Sequence, residues 1–165
     1  MEQLWAPWRI EYIKKAKKEE KTKEGGCILC QKPAEANDAA NYILYRGQQN
    51  FIVLNAYPYN AGHLMIAPFR HIAQLDGLTK KELYEHYELV SRSVAVLRRV
   101  SAPEGFNIGM NLGRIAGAGI DQHIHSHIVP RWAGDTNFMP VIAGTDVISE
   151  ALAETYNRLV GEFKA

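Results

Sequence analysis

The chain has 165 residues, 47% of them hydrophobic and 22% charged, with a formal net charge of +1. That length suits one domain with a sizeable core. The near-neutral balance gives no global attraction for nucleic acid or an anionic membrane, so any anionic ligand must be held by a local site.

The chain opens on an aromatic segment, WAPWRIEYI, with Trp5, Trp8 and Arg9, and passes into the charge run KKAKKEEKTKEGG (14–26). Nothing in this opening has the basic stretch and apolar run of a secretion signal. No run elsewhere approaches the roughly 20 apolar residues of a membrane span. The charge run reads as a solvated helix end and loop. Cys27 and Cys30 are the only cysteines and form one C-x-x-C, which points to a reducing compartment and hence the cytoplasm.

NYILYRG (41–47) and FIVLN (51–55) are β-rich runs separated by QQN, the pattern of a hairpin. AYPYNAG is turn chemistry, with Pro58, Asn60 and Gly62 as breakers, and HLMIAP (63–68) reads as a buried strand. A helix is predicted from Thr79, where Thr79 and Glu82 make a capping box. Leu83, Tyr87, Val90, Val94 and Leu97 recur behind it at helical spacing as its apolar face, and His86 is read as exposed. APEG ends the helix, FNIGMNLG (106–113) resumes as strand, and a second helix from about Thr145 carries Ile148, Leu152, Tyr156, Leu159 and Phe163 on one side. Hairpin-like strands with two main helices predict an α+β fold around a mainly antiparallel sheet.

DQHIHSHIVPRW (121–132) holds half of the six histidines. A strand repeats its side chains every second residue, so His123, His125 and His127 share one face and Ile124, Ser126 and Ile128 the other. The outer two are rooted about 13 Å apart, too far to converge on one ion, so at least one is free for other work. A neutral imidazole nitrogen can attack phosphorus or carbonyl carbon, and metal ligation is the competing use. The glycine-rich NLGRIAGAGIDQ just before it allows backbone N–H groups to approach phosphate oxygens closely. Arg131 and Arg9 serve either distal phosphates or surface ion pairs.

HIHSHIV resembles the signature of the histidine triad (HIT) family, with Ser126 departing from the apolar residue at its position, and NAYPYNAGHLMIAPFRHI (55–72) resembles the family's other hallmark. The likeness runs from about residue 27 to 132. LWAPWR and PRWAGDTNFMP are similar to the bacterial branch resembling diadenosine tetraphosphate phosphorylases. The resemblance implies a single HIT domain over 1–165, in which 1–26 is the N-terminal segment, 27–132 the core and 133–165 the C-terminal segment and helix. It also implies a homodimer whose sheet continues between protomers. By resemblance, His125 attacks the α-phosphorus of a nucleoside phosphate and forms a covalent nucleotidyl-histidine, which water or inorganic phosphate then resolves. His127 holds a non-bridging oxygen and His63 supports the ring or phosphate. Asn111 and the backbone of Gly117, Ala118, Gly119 and Ile120 contact the α-phosphate. Asn55 contacts the ribose hydroxyls and Asn60 belongs with it to the nucleotide-binding set, with turn capping as the other use of both. The substrate implied is an adenine nucleotide phosphoanhydride, foremost diadenosine tetraphosphate, with no organic cofactor. Many relatives carry Gly-Gln-Ser/Thr ahead of the triad where this chain has Ala118-Gly119-Ile120-Asp121, which favours the phosphorylase-like branch over the phosphoramidase one. A nucleoside phosphoramidase or general purine nucleotide hydrolase, a nucleotide-binding protein without turnover, and a metalloprotein with catalytic histidine ligands are the other readings.

Cys27 and Cys30 supply half of a tetrahedral zinc site, with His71 and His123 as candidates to complete it. Galactose-1-phosphate uridylyltransferases, which resemble the family distantly, carry Cys, Cys, His and His in this order around a structural zinc. A redox pair and plain reduced cysteines are the alternatives. The three tryptophans, Trp132 included, are divided between core packing and an adenine pocket or subunit interface.

Overall fold

The computed structural model describes residues 26–136 and 150–164. Trp5, Trp8, Arg9, most of the charge run, Ile148 and the expected helix start near Thr145 lie outside the described residues.

Two short helices, α1 (Ile28–Ala34) and α2 (Asp38–Asn41), lead into β1 (Ile43–Arg46) and β2 (Asn50–Leu54). These pair as the predicted antiparallel hairpin, with a register irregularity between Ile43 and Tyr45. β3 (Leu64–Pro68) follows the AYPYNAG turn, and α3 (Lys80–Ser101) crosses to β4 (Gly105–Met110). A 3-10 turn at Arg114–Ala116 precedes β5 (Ser126–Arg131), and α4 (Leu152–Lys164) closes the described chain. The sheet order is β1-β2-β3-β5-β4, antiparallel throughout, as the strand pattern predicts.

Apolar runs rather than strict alternation mark β2 and β3 because both sheet faces are covered, and every residue of these strands is buried. On one face Leu44, Ile52, Leu54, Leu64, Ile66 and Ile128 pack against Leu89, Val90, Leu97, Leu159 and Phe163 of α3 and α4. Removing each such side chain from water stabilises the fold by roughly 1.5–3 kcal/mol. On the other face Phe51, Val53, Met65 and Ala67 meet Leu29 of α1. This second layer places the C-x-x-C turn at the sheet. No described helix is long and apolar enough to cross a membrane.

The capping box forms as predicted, with Thr79 Oγ1 accepting from Glu82 N and Glu82 Oε2 accepting from Thr79 N at 2.7 Å. Arg70 clamps the same carboxylate with two bonds of 2.7 Å, holding Glu82 down at about 2. The expected helix face needs correction. Val90 and Leu97 are buried and Val94 packs against the core, but Leu83 and Tyr87 are exposed at 38% and 55%. The buried stripe runs instead through Glu82, His86, Leu89, Ser93 and Val96. Three polar residues, Glu82, His86 and Ser93, belong to it, which displaces the face that hydrophobicity alone suggests.

His86, expected at the surface, is fully buried. Its Nδ1 lies 3.1 Å from Asn50 Oδ1 and its Nε2 2.7 Å from Ser126 Oγ. The amide oxygen only accepts, so Nδ1 carries the proton and Nε2 accepts from the serine hydroxyl. This chain from β2 through α3 to β5 explains the polar residue between His125 and His127: an apolar side chain there would leave a buried imidazole nitrogen unpaired.

Candidate active site and metal centre

β5 begins at Ser126, so of the three alternating histidines only His127 lies within it. Upstream, Ile124 N–H bonds Ile72 O at 2.7 Å instead of joining the sheet ladder. The three rings divide. His123 turns toward the two cysteines, while His125 and His127 face each other at 4.9 Å between ring centroids and 72°. The AYPYNAG turn delivers His63 beside them. Gly62 makes this possible at φ +79°, where a β-carbon would sit 3.4 Å from both Leu97 Cδ2 and Pro130 Cγ.

Backbone partners set the tautomers, because a carbonyl can only accept and an amide N–H only donate. His125 Nδ1 lies 2.8 Å from His123 O, so it is protonated and Nε2 keeps its lone pair. Tyr59 N–H donates to His63 Nδ1 at 3.1 Å, with the Asn55 amide nitrogen 3.3 Å from the same atom. His63 Nε2 therefore bears the proton and donates to His127 Nδ1 at 2.9 Å. That leaves His127 Nε2 as an N–H donor beside the lone pair of His125. One neutral nucleophile next to one neutral hydrogen-bond donor is a group-transfer arrangement.

Burial and the neighbouring imidazoles disfavour charge on these rings. Burial, then His127 and His125, push His63 down to about 3, and burial and His125 bring His127 to about 4. Burial, with the His123 carbonyl opposing it, lowers His125 below its ordinary value, and His86 falls to about 4 mainly through burial. Unfolded imidazoles take up protons near 6.5. Across the interval below that value the unfolded chain binds protons which folded His63, His86 and His127 refuse. Their stability contribution is full above about pH 6.5 and drains away as pH falls through about 4. Urea unfolding at pH 7 and pH 4.5 should show a loss of several kcal/mol on acidification, and an unchanged midpoint would contradict the neutral network.

The glycine-rich loop is partly closed on itself. Gly117 N–H bonds Arg114 O at 3.0 Å and Ala118 N–H reaches Gly113 O at 3.4 Å, while Asn111 Nδ2 bonds Gly117 O at 3.4 Å. Gly119 and Ile120 N–H donate to no acceptor among the described residues, and a β-carbon on Gly119 would meet nothing within 4 Å. The open part of the loop is thus its second half. Asn55 Oδ1 caps the turn at Tyr57 N, and the Asn60 amide nitrogen is engaged by Asp135 at 2.7 Å and Pro130 O at 3.2 Å. Arg131 proves to be an ion-pair partner, bound to Asp135 through Nε at 2.6 Å and Nη2 at 2.8 Å. Trp132 donates its indole N–H to Ser101 O at 3.2 Å, tying the strand exit to the end of α3.

Cys27, Cys30, His71 and His123 converge, with donor atoms all within 4.8 Å of one another. Cys27 Sγ and Cys30 Sγ lie 3.3 and 3.4 Å from His123 Nδ1, and Cys30 Sγ lies 3.3 Å from His71 Nδ1. Ligands of a tetrahedral zinc, at about 2.0–2.3 Å from the ion, stand at comparable separations from one another. His123 Nε2 donates to Pro68 O at 2.8 Å, which leaves Nδ1 free for an ion and holds the ring in place. Two thiols and two imidazoles are the donor set zinc prefers, so these residues fit the ion. The same His123 supplies the carbonyl that orients His125, and the two centres are therefore adjoining.

Known proteins share this architecture. A family model for the HIT domain matches residues 36–134. The AP-4-A phosphorylase of Mycobacterium tuberculosis (strain CDC 1551 / Oshkosh) is 36% identical over 165 residues, covering 99% of this chain and 85% of that one. A hypothetical histidine triad nucleotide-binding protein from Sulfolobus tokodaii strain7 superposes with a TM-score of 0.67 at 21% identity, over 84% of this chain and 92% of that one. A Zn-bound histidine triad family protein from Mycobacterium smegmatis gives 0.66 at 22%, over 84% and 94%.

Proposed function

Because the chain belongs to the HIT domain family, we propose that it is an enzyme of nucleotidyl transfer acting on dinucleoside polyphosphates, foremost diadenosine tetraphosphate. One observation carries the chemistry: His125 Nδ1 is bonded to a backbone carbonyl, so an uncharged Nε2 lone pair is available beside the N–H of His127.

In the first step His125 Nε2 attacks the α-phosphorus and a P–N bond forms. The P–O bond to the leaving polyphosphate breaks, and the bridging oxygen departs as an anionic oxygen of that polyphosphate while His127 Nε2–H holds a non-bridging oxygen. With diadenosine tetraphosphate the enzyme then holds AMP on His125 and releases ATP. In the second step an anionic oxygen of phosphate attacks the same phosphorus, or water attacks and releases its proton to solvent, and the P–N bond breaks to return His125 in its neutral form. His63, through its N–H to His127 Nδ1, keeps His127 in the donor tautomer. The open N–H groups of Gly119 and Ile120 and the Asn111 amide suit the non-bridging oxygens, whose charge grows in the transition state. Asn55, at the end of β2, suits the ribose of the retained nucleotide.

Cys27, Cys30, His71 and His123 would hold a structural zinc, supplying rigidity rather than chemistry at phosphorus. The reading treats 1–165 as a single domain of a cytoplasmic homodimer, with the edge of β4, unpaired among the described residues, available to continue the sheet. The AP-4-A phosphorylase relative favours phosphate over water as acceptor. Product analysis on diadenosine tetraphosphate tests this. ADP plus ATP, formed only when phosphate is present, is expected; AMP plus ATP in water identifies a hydrolase.

A further inference from the structure

The buried hydrogen-bond chain through His86 lies on the helix side of the sheet, and the reaction above gives it no task. Ser126 Oγ donates to His86 Nε2 at 2.7 Å, and His86 Nδ1 donates to Asn50 Oδ1 at 3.1 Å. Asn50 Nδ2 donates in turn to Glu85 Oε2 at 3.1 Å. The same carboxylate accepts the backbone N–H groups of Gln48, Gln49 and Asn50 at 2.6–2.7 Å. Each donor faces the next acceptor toward one anion, so the bonds polarise one another. We propose that His86 and Ser126 are positioning residues for the transfer reaction: their brace fixes β5 at its first residue and holds His125 and His127 in one geometry against the substrate phosphorus. That role rests on the reaction proposed above.

The brace acts where the sheet ladder begins. Ser126 is the first residue of β5, paired with Ile66 on one side and Met110 on the other. Ahead of it the chain has left the ladder, with Ile124 N–H on Ile72 O, so His125 is carried by the residue before the first rung. A strand turns most readily about its axis at such an end, where no earlier rung opposes the rotation. The Ser126 side chain supplies that restraint. Successive side chains leave a strand on opposite faces, so tying Ser126 to α3 sets the direction in which its neighbours project. Ile66 pairs with both Ile52 and Ser126, so the brace passes over β3 and ties β5 to β2 and α3, the rigid body of the fold.

Stability alone does not call for this arrangement. Asn50, His86 and Ser126 are buried on the face where Ile52, Ile66 and Ile128 pack against Leu89 and Val90. Buried polar groups cost free energy unless each is paired, and replacing paired partners by apolar groups of like shape is close to neutral. At position 126 an apolar side chain is also what the histidine triad signature takes. A hydroxyl, an imidazole and an amide instead single out one arrangement, which non-directional apolar packing does not.

The test measures turnover of diadenosine tetraphosphate and the single-turnover rate of nucleotide transfer to His125, well below each variant's melting temperature. Ser126→Ala should lower kcat and the transfer rate by about 10- to 100-fold, up to the cost of a misplacement of about 1 Å, with KM within about twofold. Ser126→Thr keeps the hydroxyl and should keep most of the rate. His86→Leu should match Ser126→Ala, and the double variant should be no slower than the worse single, because the pair acts as one unit. If His86→Leu does not fold, the Ala and Thr variants decide alone. A folded Ser126→Ala that melts lower yet turns over like the parent makes the brace purely structural, and the positioning role is wrong while the reaction stands. Equal losses in the Ala and Thr variants, or additive losses in the double, overturn it as well. If the parent transfers no nucleotide to histidine, the reaction fails and the positioning role goes with it.

Discussion

Replacing His125 with alanine should lower turnover of diadenosine tetraphosphate by about four orders of magnitude or more, the scale seen when a covalent nucleophile is deleted. The expectation follows from geometry: in the triad-and-His63 cluster only His125 presents an unprotonated nitrogen with no partner among the described residues. Folding should survive. The variant loses a bond to the His123 carbonyl and leaves a small void, a cost of about 1–3 kcal/mol. Nucleotide affinity should change only a few-fold, since Asn55, Asn111 and the glycine loop are untouched. Acid-sensitive trapping sharpens the test. Labelled nucleotide should remain on the wild-type protein as a phosphoramidate and be absent from the variant. A variant that still turns over within tenfold of wild type, or a wild-type protein that traps no nucleotide, places the nucleophile elsewhere or removes it.

Metal loss should produce the largest change in stability. The protein is expected to carry close to one zinc per chain, and Cys30→Ser or exhaustive chelation should lower its melting temperature by roughly 10 °C or more. At about 2–4 °C per kcal/mol for a chain of this size, that corresponds to several kcal/mol. Cys27 and Cys30 stand more than 90 residues from His123, so an ion there joins the N-terminal turn to the approach of β5. Activity should fall by about 10–100-fold, mostly in kcat, because His123 also offers the carbonyl that aims His125. Residual turnover by stripped protein at low temperature distinguishes a structural ion from a catalytic one. Purified protein without metal and with unchanged melting after chelation would leave the cysteines merely reduced.

Much of the site was legible in the sequence because its chemistry is local. Period-two histidines beside a turn ending in Gly-His define which imidazoles can meet, and the capping box marks where α3 starts. The resemblance then assigned roles that spacing alone left open between ligation and catalysis. Illegible residues were those whose partners come from distant segments. His86 reads as a surface residue because it stands near the start of the helix, off the apolar face drawn through Leu83, Tyr87 and Val90, yet its partners Asn50 and Ser126 lie 36 and 40 residues away. Ser126 was the one available signal, a hydroxyl where the pattern wants an apolar side chain. Arg131 was undecided between phosphate and ion pair until Asp135 was found on the far side of a tight turn.

Hydrophobic patterning, helix capping and the closeness of two thiols within one turn are local. The amino-acid sequence by itself therefore determined the α+β architecture, the stretch that supplies the histidines and half of a metal centre, although only His127 of the three lies in the strand that alternation predicts. Protonation is different. Which ring nitrogen carries a hydrogen depends on the carbonyl or amide that three-dimensional packing sets against it. Only the tertiary structure decided that His123 turns to sulfur, that His125 keeps a lone pair and that His127 holds a proton beside it.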